Sequence, residues 1–452
     1  MATVRDRVKR EPDIFLRLAQ NSMVVAASLR EKFVENTLDL GDRIRQRLQA
    51  NDLGGLSISD FTQMRTSKSG LGRITVCFID GGVGEVEILF KIPLIVRGGI
   101  FRIKEGERDL ERRETFEFFP ILIGDLEGGE KSRGDYSTVI RIIIELCSVL
   151  RVLSEHQYSD VNMIMLHGPL LYRLSAYTDH WFFEKDIDIM TQTAGDIIGE
   201  FREECKGCPI YNDNWCPAWK SQKKVRANCL ISFLVSKAIR QAAEKGKSFV
   251  GVVERASATE ISKVLFERML HTDTELSTKF LGRSVENYLR DAEKVVEAAN
   301  FTDSLVFSLV LGTGEYSSFY RARERYSGFR GELNGFAQKL PIISYTYLKS
   351  VDNAMAIRVE FPAESEENQQ MGALSKVYEY SRLLPNYAFP IGLDIADKFA
   401  KVPNWLTEAY RKYILFNFGR LGLDRELDEQ ELRRLLMFYY LHQREFTLRP
   451  RA

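Results

Sequence analysis

The chain has 452 residues, with Lys+Arg and Asp+Glu equal at 63 each and 44% hydrophobic residues. That length buries a full apolar core, and the charge balance requires any nucleic-acid surface to be local. Six cysteines are too few for a disulfide scaffold, the first residues lack the apolar stretch of a signal peptide, and no run reaches the ~18–20 apolar residues of a membrane span, so the expectation is a cytoplasmic protein with no membrane partner.

Residues 1–70 read as an N-terminal helical arm, with Phe15, Leu16, Leu18, Val24, Val25, Leu29, Phe33 and Val34 at helical spacing among charges. "RITVCFID" predicts a buried strand ending on Asp80, followed at once by Gly81-Gly82. "EVEILFKI" and "PLIVRGGIFRI" predict two further strands in an antiparallel meander. From Tyr136 to His156 the period is helical, with Val139, Ile142, Ile143, Leu146, Val149, Leu150 and Leu153 on one face. "VNMIML" predicts a short buried strand that surfaces on His167, where Gly168-Pro169 breaks it. A mostly helical, cysteine-bearing insertion covers about 185–247, and "SFVGVVE" predicts the next strand. The order βββ-α-β-α-β matches an RNase H-like fold, in which the first and fourth strands are neighbours at the sheet centre.

Farther along, the pattern gives a helix around 275–300, an apolar run "SLVFSLVLG" and a strand "AMAIRVEF". "PIGLDIADKFAKV" predicts a helix with Leu393, Ala396, Phe399 and Ala400 inward, and a charged helical extension covers 404–452. The expected fold class is α/β: an RNase H-like mixed sheet flanked by helices over 71–403, with helical extensions at both ends.

An acid at the end of a first buried strand beside a polar ligand at the end of its neighbour suits a two-metal phosphodiester hydrolase. Such chemistry holds divalent ions ~3.5–4 Å apart with converging carboxylates or imidazoles. Asp80 and His167 converge if their strands are adjacent, Glu145 borders the apolar face of the intervening helix, and Asp394 or Asp397 can supply a fourth ligand. The plainer readings are a turn aspartate at Asp80, an exposed ion pair of Glu145 with Arg141, and a core histidine at His167.

"FIDGG", "GEVEILFKIPLIVRGG", "VIRIIIELCSVLR", "IMLHGPL", "FVGVVER", "AIRVEFP" and "FPIGLDIADKFAKV" resemble, in order and rough spacing from about 74 to 403, the NurA nuclease family. The resemblance implies a homodimer, manganese-dependent cleavage of DNA, and partnership with the hexameric HerA translocase. The family's Asp-Gly-Ser reads Asp80-Gly81-Gly82 here, and its helix glutamate matches Glu145. Its "LDGPL" reads Leu166-His167-Gly168-Pro169-Leu170, and its late Ala-His reads Ala396-Asp397. The two exchanges are reciprocal, which keeps two aspartates, one glutamate and one histidine. Asp80, Glu145, His167 and Asp397 are therefore the expected catalytic residues and ligands for Mn2+ or Mg2+, with His167 and Asp397 having traded places. After "VGVV", where the family tends to have lysine, Glu254 and Arg255 stand; a lost cation weakens charge stabilisation at the scissile phosphate, and Arg255 or Lys263 are the candidates to replace it.

Cys205, Cys208, Cys216 and Cys229 are spaced C-x2-C-x7-C-x12-C, which suits zinc or an iron–sulfur cluster, although Cys229 opens an apolar helix and is also readable as a buried core thiol. "LVLGTGEYSS" lacks the Gly-Lys-Ser/Thr of a phosphate loop, so energy for translocation falls to a partner. "YRARERYSGFR" carries Arg321 and Arg323 and suits either a DNA backbone or a solvated face. The expected function is a metal-dependent DNA nuclease of NurA type, acting on DNA fed by a HerA-like ATPase in DNA repair or antiviral defence. The second reading, favoured by the swapped ligands and Glu254, is a catalytically impaired DNA-binding or scaffold subunit of the HerA complex.

Overall fold

The computed structural model describes residues 12–32, 38–50, 52–60, 73–86, 94–109, 114–123, 133–177, 180–191, 194–206, 218–220, 224–273, 285–299, 301–322 and 340–423, with isolated positions 276, 278, 430, 431 and 434. They fall into two compact units, one of residues 1–63, 255–318 and 347–357, the other of 64–254, 319–346 and 358–452. Among the described residues, no helix is long and apolar enough to cross a membrane.

The first unit joins helices Pro12–Lys32 and Asp39–Gln49 with Glu260–Thr272, Tyr288–Ala299 and Asp303–Val310. Its strands Ile58–Asp60 and Glu315–Ser317 pair antiparallel. Arg45 makes a forked bond to the Glu315 carboxylate at 2.7 and 2.8 Å. Asp303 accepts from both the backbone N–H and the hydroxyl of Ser262 at 2.7 Å, serving an otherwise orphaned donor in the first turn of Glu260–Thr272. The helical spacing at the N-terminus does give a helix, but Leu16, Leu18 and Val24 on it are exposed.

The second unit is built on strands β1 (Thr75–Glu85), β2 (Leu94–Lys104), β3 (Glu114–Ile123), β4 (Met163–His167), β5 (Ser248–Val253) and β6 (Tyr320–Ala322), with most of β7 (Ile343–Leu348) and of β8 (Ile357–Pro362). Their order across the sheet is β3-β2-β1-β4-β5-β8-β7-β6. β1, β2 and β3 form an antiparallel meander, β4 runs parallel to both β1 and β5, and β8 returns antiparallel on β5. The first five strands have the RNase H-like order expected from the sequence.

The meander differs from its sequence reading in two ways. β1 does not stop at Gly81-Gly82 but runs on to Glu85; of the expected strand "EVEILFKI" only Glu85 and Val86 are described, and its remaining positions lie outside the described residues. The third strand is Glu114–Ile123, which the sequence reading did not include.

Helices α1 (Arg133–Ser154) and α2 (Ala227–Glu244) follow β3 and precede β5, and α3 (Glu367–Ser381), α4 (Ile391–Ala400) and α5 (Asn404–Leu423) follow β8. α1 and α4 cover opposite faces of β1: Gly81 faces Arg141 and Glu145 of α1, whereas Phe78 and Gly82 face Gly392 and Ala400 of α4. Burial on both faces explains why the β1 run is continuously apolar instead of alternating. α1 is covered in turn by α2, so Ile140, Ile144 and Cys147 on its back are buried along with the predicted stripe.

On α4, Leu393, Ala396 and Ala400 are buried as expected, but Phe399 is 44% exposed. It stands about 120° round the helix from Leu393, off the stripe the other three define. Among the described residues the insertion is mostly helical, α2 included, and it also holds short strands that were not expected. Besides helices Glu184–Thr191 and Ile197–Lys206 it carries a small antiparallel sheet of Trp181–Phe183, Lys224–Arg226 and Trp219–Lys220, whose strands are too short to show a period of two. The C-terminal extension is helical over Asn404–Leu423, and most of its remainder lies outside the described residues.

Candidate metal centre

The parallel register of β1 and β4 pairs Ile79 with Leu166, which sets Asp80 and His167 side by side at the strand ends. His167 Nδ1 lies 2.7 Å from Asp80 Oδ2, and the other carboxylate oxygen of Asp80 accepts the Gly81 N–H at 2.7 Å. Asp397, carried on α4, completes the cluster: one ligand atom from each of Asp80, His167 and Asp397 lies within 4.8 Å of the others. The Asp80 side chain is buried, while those of His167 and Asp397 keep 26% and 27% of their surface, so the cluster opens on one side.

Gly81 and Gly82 make this convergence possible, one on each face of β1. A Cβ on Gly82 would stand 2.0 Å from the Ala400 carbonyl oxygen, so a side chain there would push away the helix that carries Asp397. A Cβ on Gly81 would stand 2.8 Å from Glu145 Cγ. Without it, the Glu145 carboxylate passes over the backbone to lie beside Asp80, with Oε2 only 3.8 Å from where a Cβ on Gly168 would be.

Glu145 is therefore not the exposed half of an ion pair: its side chain is 2% exposed, and Arg141 Nε approaches Oε1 at 3.5 Å without forming a hydrogen bond. Burial drives the Glu145 carboxyl well above the usual carboxylate range; Arg141 and the Gly81 N–H oppose that shift, and the charge of Asp80 adds to it. A buried carboxylate oxygen with no hydrogen bond, next to two more carboxylates and an imidazole, is a donor set suited to a hard or borderline divalent cation.

For His167, burial disfavours the charged ring, but the hydrogen bond and charge of Asp80, assisted by Asp397, outweigh it and hold the pKa above the ordinary histidine value; Arg141 works against them. In the metal-free protein the charged pair is fully stabilising below the ordinary histidine pKa, and that stability is lost as pH rises through the raised value. A ligating imidazole must be neutral, so Mn2+ affinity should climb with pH across the same window and level off above the raised value. Calorimetric Mn2+ titrations over a pH series check this, and an affinity that is flat through that window would remove His167 from the ligand set.

A buried ion pair on β8 holds the loop that follows His167. Glu360 Oε2 accepts the backbone N–H groups of Leu170 and Leu171 at 2.6 and 2.7 Å, and its Oε1 lies 2.7 Å from Arg358 Nε. Arg358 packs its guanidinium 3.8 Å over the ring of Tyr345. Glu360 lies opposite Gly251 of β5, where a Cβ would stand 2.7 Å from the Gly168 carbonyl oxygen and 3.0 Å from Leu170 N. The bare backbone at Gly251 lets the loop fold down onto the carboxylate.

The other expected site residues are placed differently. Asp394 does not join the cluster; it pairs with Lys398 at 2.8 Å and accepts from the Tyr387 hydroxyl. Asp397 is itself paired with Lys401 at 2.5 Å. Lys263 lies in the first unit and binds Glu293 at 2.5 Å, and Arg255 also belongs to that unit. Arg321 sits on β6, and Arg323 lies outside the described residues. Cys205 and Cys229 are buried on helices, while Cys208 and Cys216 lie outside the described residues. Arg358 and Glu360 were signalled in "AIRVEF", where opposite charges two apart in an apolar strand share one face.

The fold and cluster define a class: an α/β protein of RNase H-like strand order with a carboxylate–imidazole centre at the ends of its two middle strands. The sequence pattern of the NurA domain matches residues 74–402, most of the chain, and the chain belongs to that family. Among solved structures it is similar to the NurA nuclease from Sulfolobus solfataricus, at 13% identity and a TM-score of 0.48, over 89% of this chain and 98% of that one. It is also similar to a NurA bound to dAMP and manganese, at 10% identity and a TM-score of 0.35, over 83% of this chain and 94% of that one. No curated protein matches it significantly.

Proposed function

We propose that this chain is a divalent-metal-dependent deoxyribonuclease of NurA type. One observation carries the reading: residues from four separate motifs, Asp80, Glu145, His167 and Asp397, meet at one end of β1 and β4. Asp80, His167 and Asp397 would hold one ion, and Glu145 beside Asp80 would share in a second. Bound there, Mn2+ or Mg2+ would activate water and neutralise charge on the attacking and leaving oxygens of a phosphodiester. Asp80 orients the His167 ring through its Nδ1, and Gly82 seats α4 so that Asp397 faces both. Glu360 fixes the loop on which His167 ends.

The family resemblance supports a homodimer and a HerA-like hexameric ATPase as partner, feeding DNA for end processing or defence. The chain's own "LGTGE" turn is closed by a carboxylate, Glu315, which accepts the Gly312 N–H at 2.5 Å. That N–H is thus already taken and is not offered to a nucleotide phosphate, which favours a partner as the source of energy.

The traded positions give the test. His167→Asp and Asp397→His are each expected to lose most Mn2+-dependent cleavage of linear DNA and to weaken Mn2+ binding, whereas the double variant regains a measurable part of both. A double variant no better than either single one would show that the two side chains do not share a centre.

A further inference from the structure

A site built from three carboxylates must still receive an anionic DNA phosphate, so the cations around it decide how the substrate is held. Lys401 is committed to Asp397 at 2.5 Å. Arg97, opposite Gly82 on β2, donates to the Lys401 carbonyl oxygen at 3.4 Å. Arg141 is different. It lies one turn before Glu145 on α1, with its Cγ 3.0 Å from where a Cβ on Gly81 would be, so its stem is fixed against the strand end that carries Asp80. Its Nε faces Glu145 Oε1 at 3.5 Å, its side chain is 47% exposed, and among the described residues no hydrogen bond holds its two terminal nitrogens. The stem is anchored at the centre while the planar fork, suited to paired phosphate oxygens, is left to solvent.

We propose that Arg141 is a substrate-binding residue whose guanidinium fork takes the non-bridging oxygens of the DNA phosphate seated at the metal centre. This rests on the nuclease reading above. The position is electrostatically consistent: Glu145 and then Asp80 act on the Arg141 charge, and that charge in turn opposes protonation of His167. Arg141 thus lies within range of the ligands while offering its donors outward.

The competing role is structural, with Arg141 serving only to offset the buried Glu145. Full-length wild type, Arg141→Lys and Arg141→Gln separate the two. Anisotropy of a labelled single-stranded oligonucleotide is followed over a salt series with Ca2+ in place of Mn2+, and Mn2+ binding is measured by calorimetry. Arg141→Gln is expected to weaken DNA binding about tenfold and to lower the log–log salt slope by about 0.7, the value for one lost phosphate contact on a single strand. Arg141→Lys keeps the slope, and both variants bind Mn2+ at least as tightly as wild type. An unchanged slope and DNA affinity in Arg141→Gln overturns the inference, as does a loss of Mn2+ affinity in both variants with no recovery of DNA binding in Arg141→Lys. If wild type cuts DNA and Arg141→Gln binds it normally, the inference alone fails; if wild type neither binds nor cuts DNA, the nuclease reading fails and takes the inference with it.

Discussion

Asp80→Asn should remove Mn2+-dependent DNA cleavage, with the rate falling by roughly 10³-fold or more, because a bound metal contributes several kcal/mol to the transition state. The substitution keeps the shape of the side chain and its bond from the Gly81 N–H. What it deletes is the negative charge shared by His167 on one side and Glu145 on the other. The His167 imidazole then loses the partner that holds its pKa up, and the Glu145 carboxyl loses a repelling neighbour, so both neighbours change protonation behaviour together. Degradation of linear duplex and single-stranded DNA with Mn2+, with and without the proposed HerA-like ATPase, is the measurement, alongside Mn2+ calorimetry. Cleavage within tenfold of wild type would place the chemistry elsewhere in the molecule.

Glu360→Leu is expected to be the most damaging substitution away from the ligands. It strands two backbone N–H groups in the loop after His167 and leaves Arg358, 1% exposed, without its carboxylate. Breaking a buried pair from one side costs about 3–5 kcal/mol, which corresponds to a fall in Tm on the order of 10 °C. Glu360→Gln keeps an acceptor for the N–H groups and should cost less. The double variant Arg358→Met/Glu360→Leu should melt higher than Glu360→Leu, since no charge is left buried, yet cut DNA no better, because Leu170 and Leu171 still lack their acceptor. Thermal unfolding and cleavage rates measured on all three decide the matter; a Glu360→Leu protein melting within a degree or two of wild type would mean the loop is held by something else.

The middle of the sheet was legible because its strands are buried on both faces and end on a titratable residue. Asp80 and His167 stand out as polar stops to apolar runs, and register alone then brings them together. β3 was harder to see because Pro120 sits inside it and a proline in an apolar run argues against a strand. β3 lies at the edge of the sheet order, where a missing N–H is tolerated. Glu145 was readable as a helix residue four positions after Arg141, but its burial depends on Gly81 being bare, which no local pattern reveals. Arg358 and Glu360 announce a charged pair in a strand, whereas the loop that Glu360 holds is 190 residues away in the chain. Its partner is set by topology and by a glycine on the neighbouring strand.

The close seating of α4 on Gly82 also bears on how the protein is made. Asp80, Glu145 and His167 all leave the ribosome well before residues 391–400, and the cluster is incomplete until that short helix lies down on β1. Under the proposed function, a nascent or prematurely terminated chain carries most of the ligands yet lacks Asp397 and the cover over Phe78. The order of synthesis thus leaves the proposed centre without its fourth residue until α4 has been made.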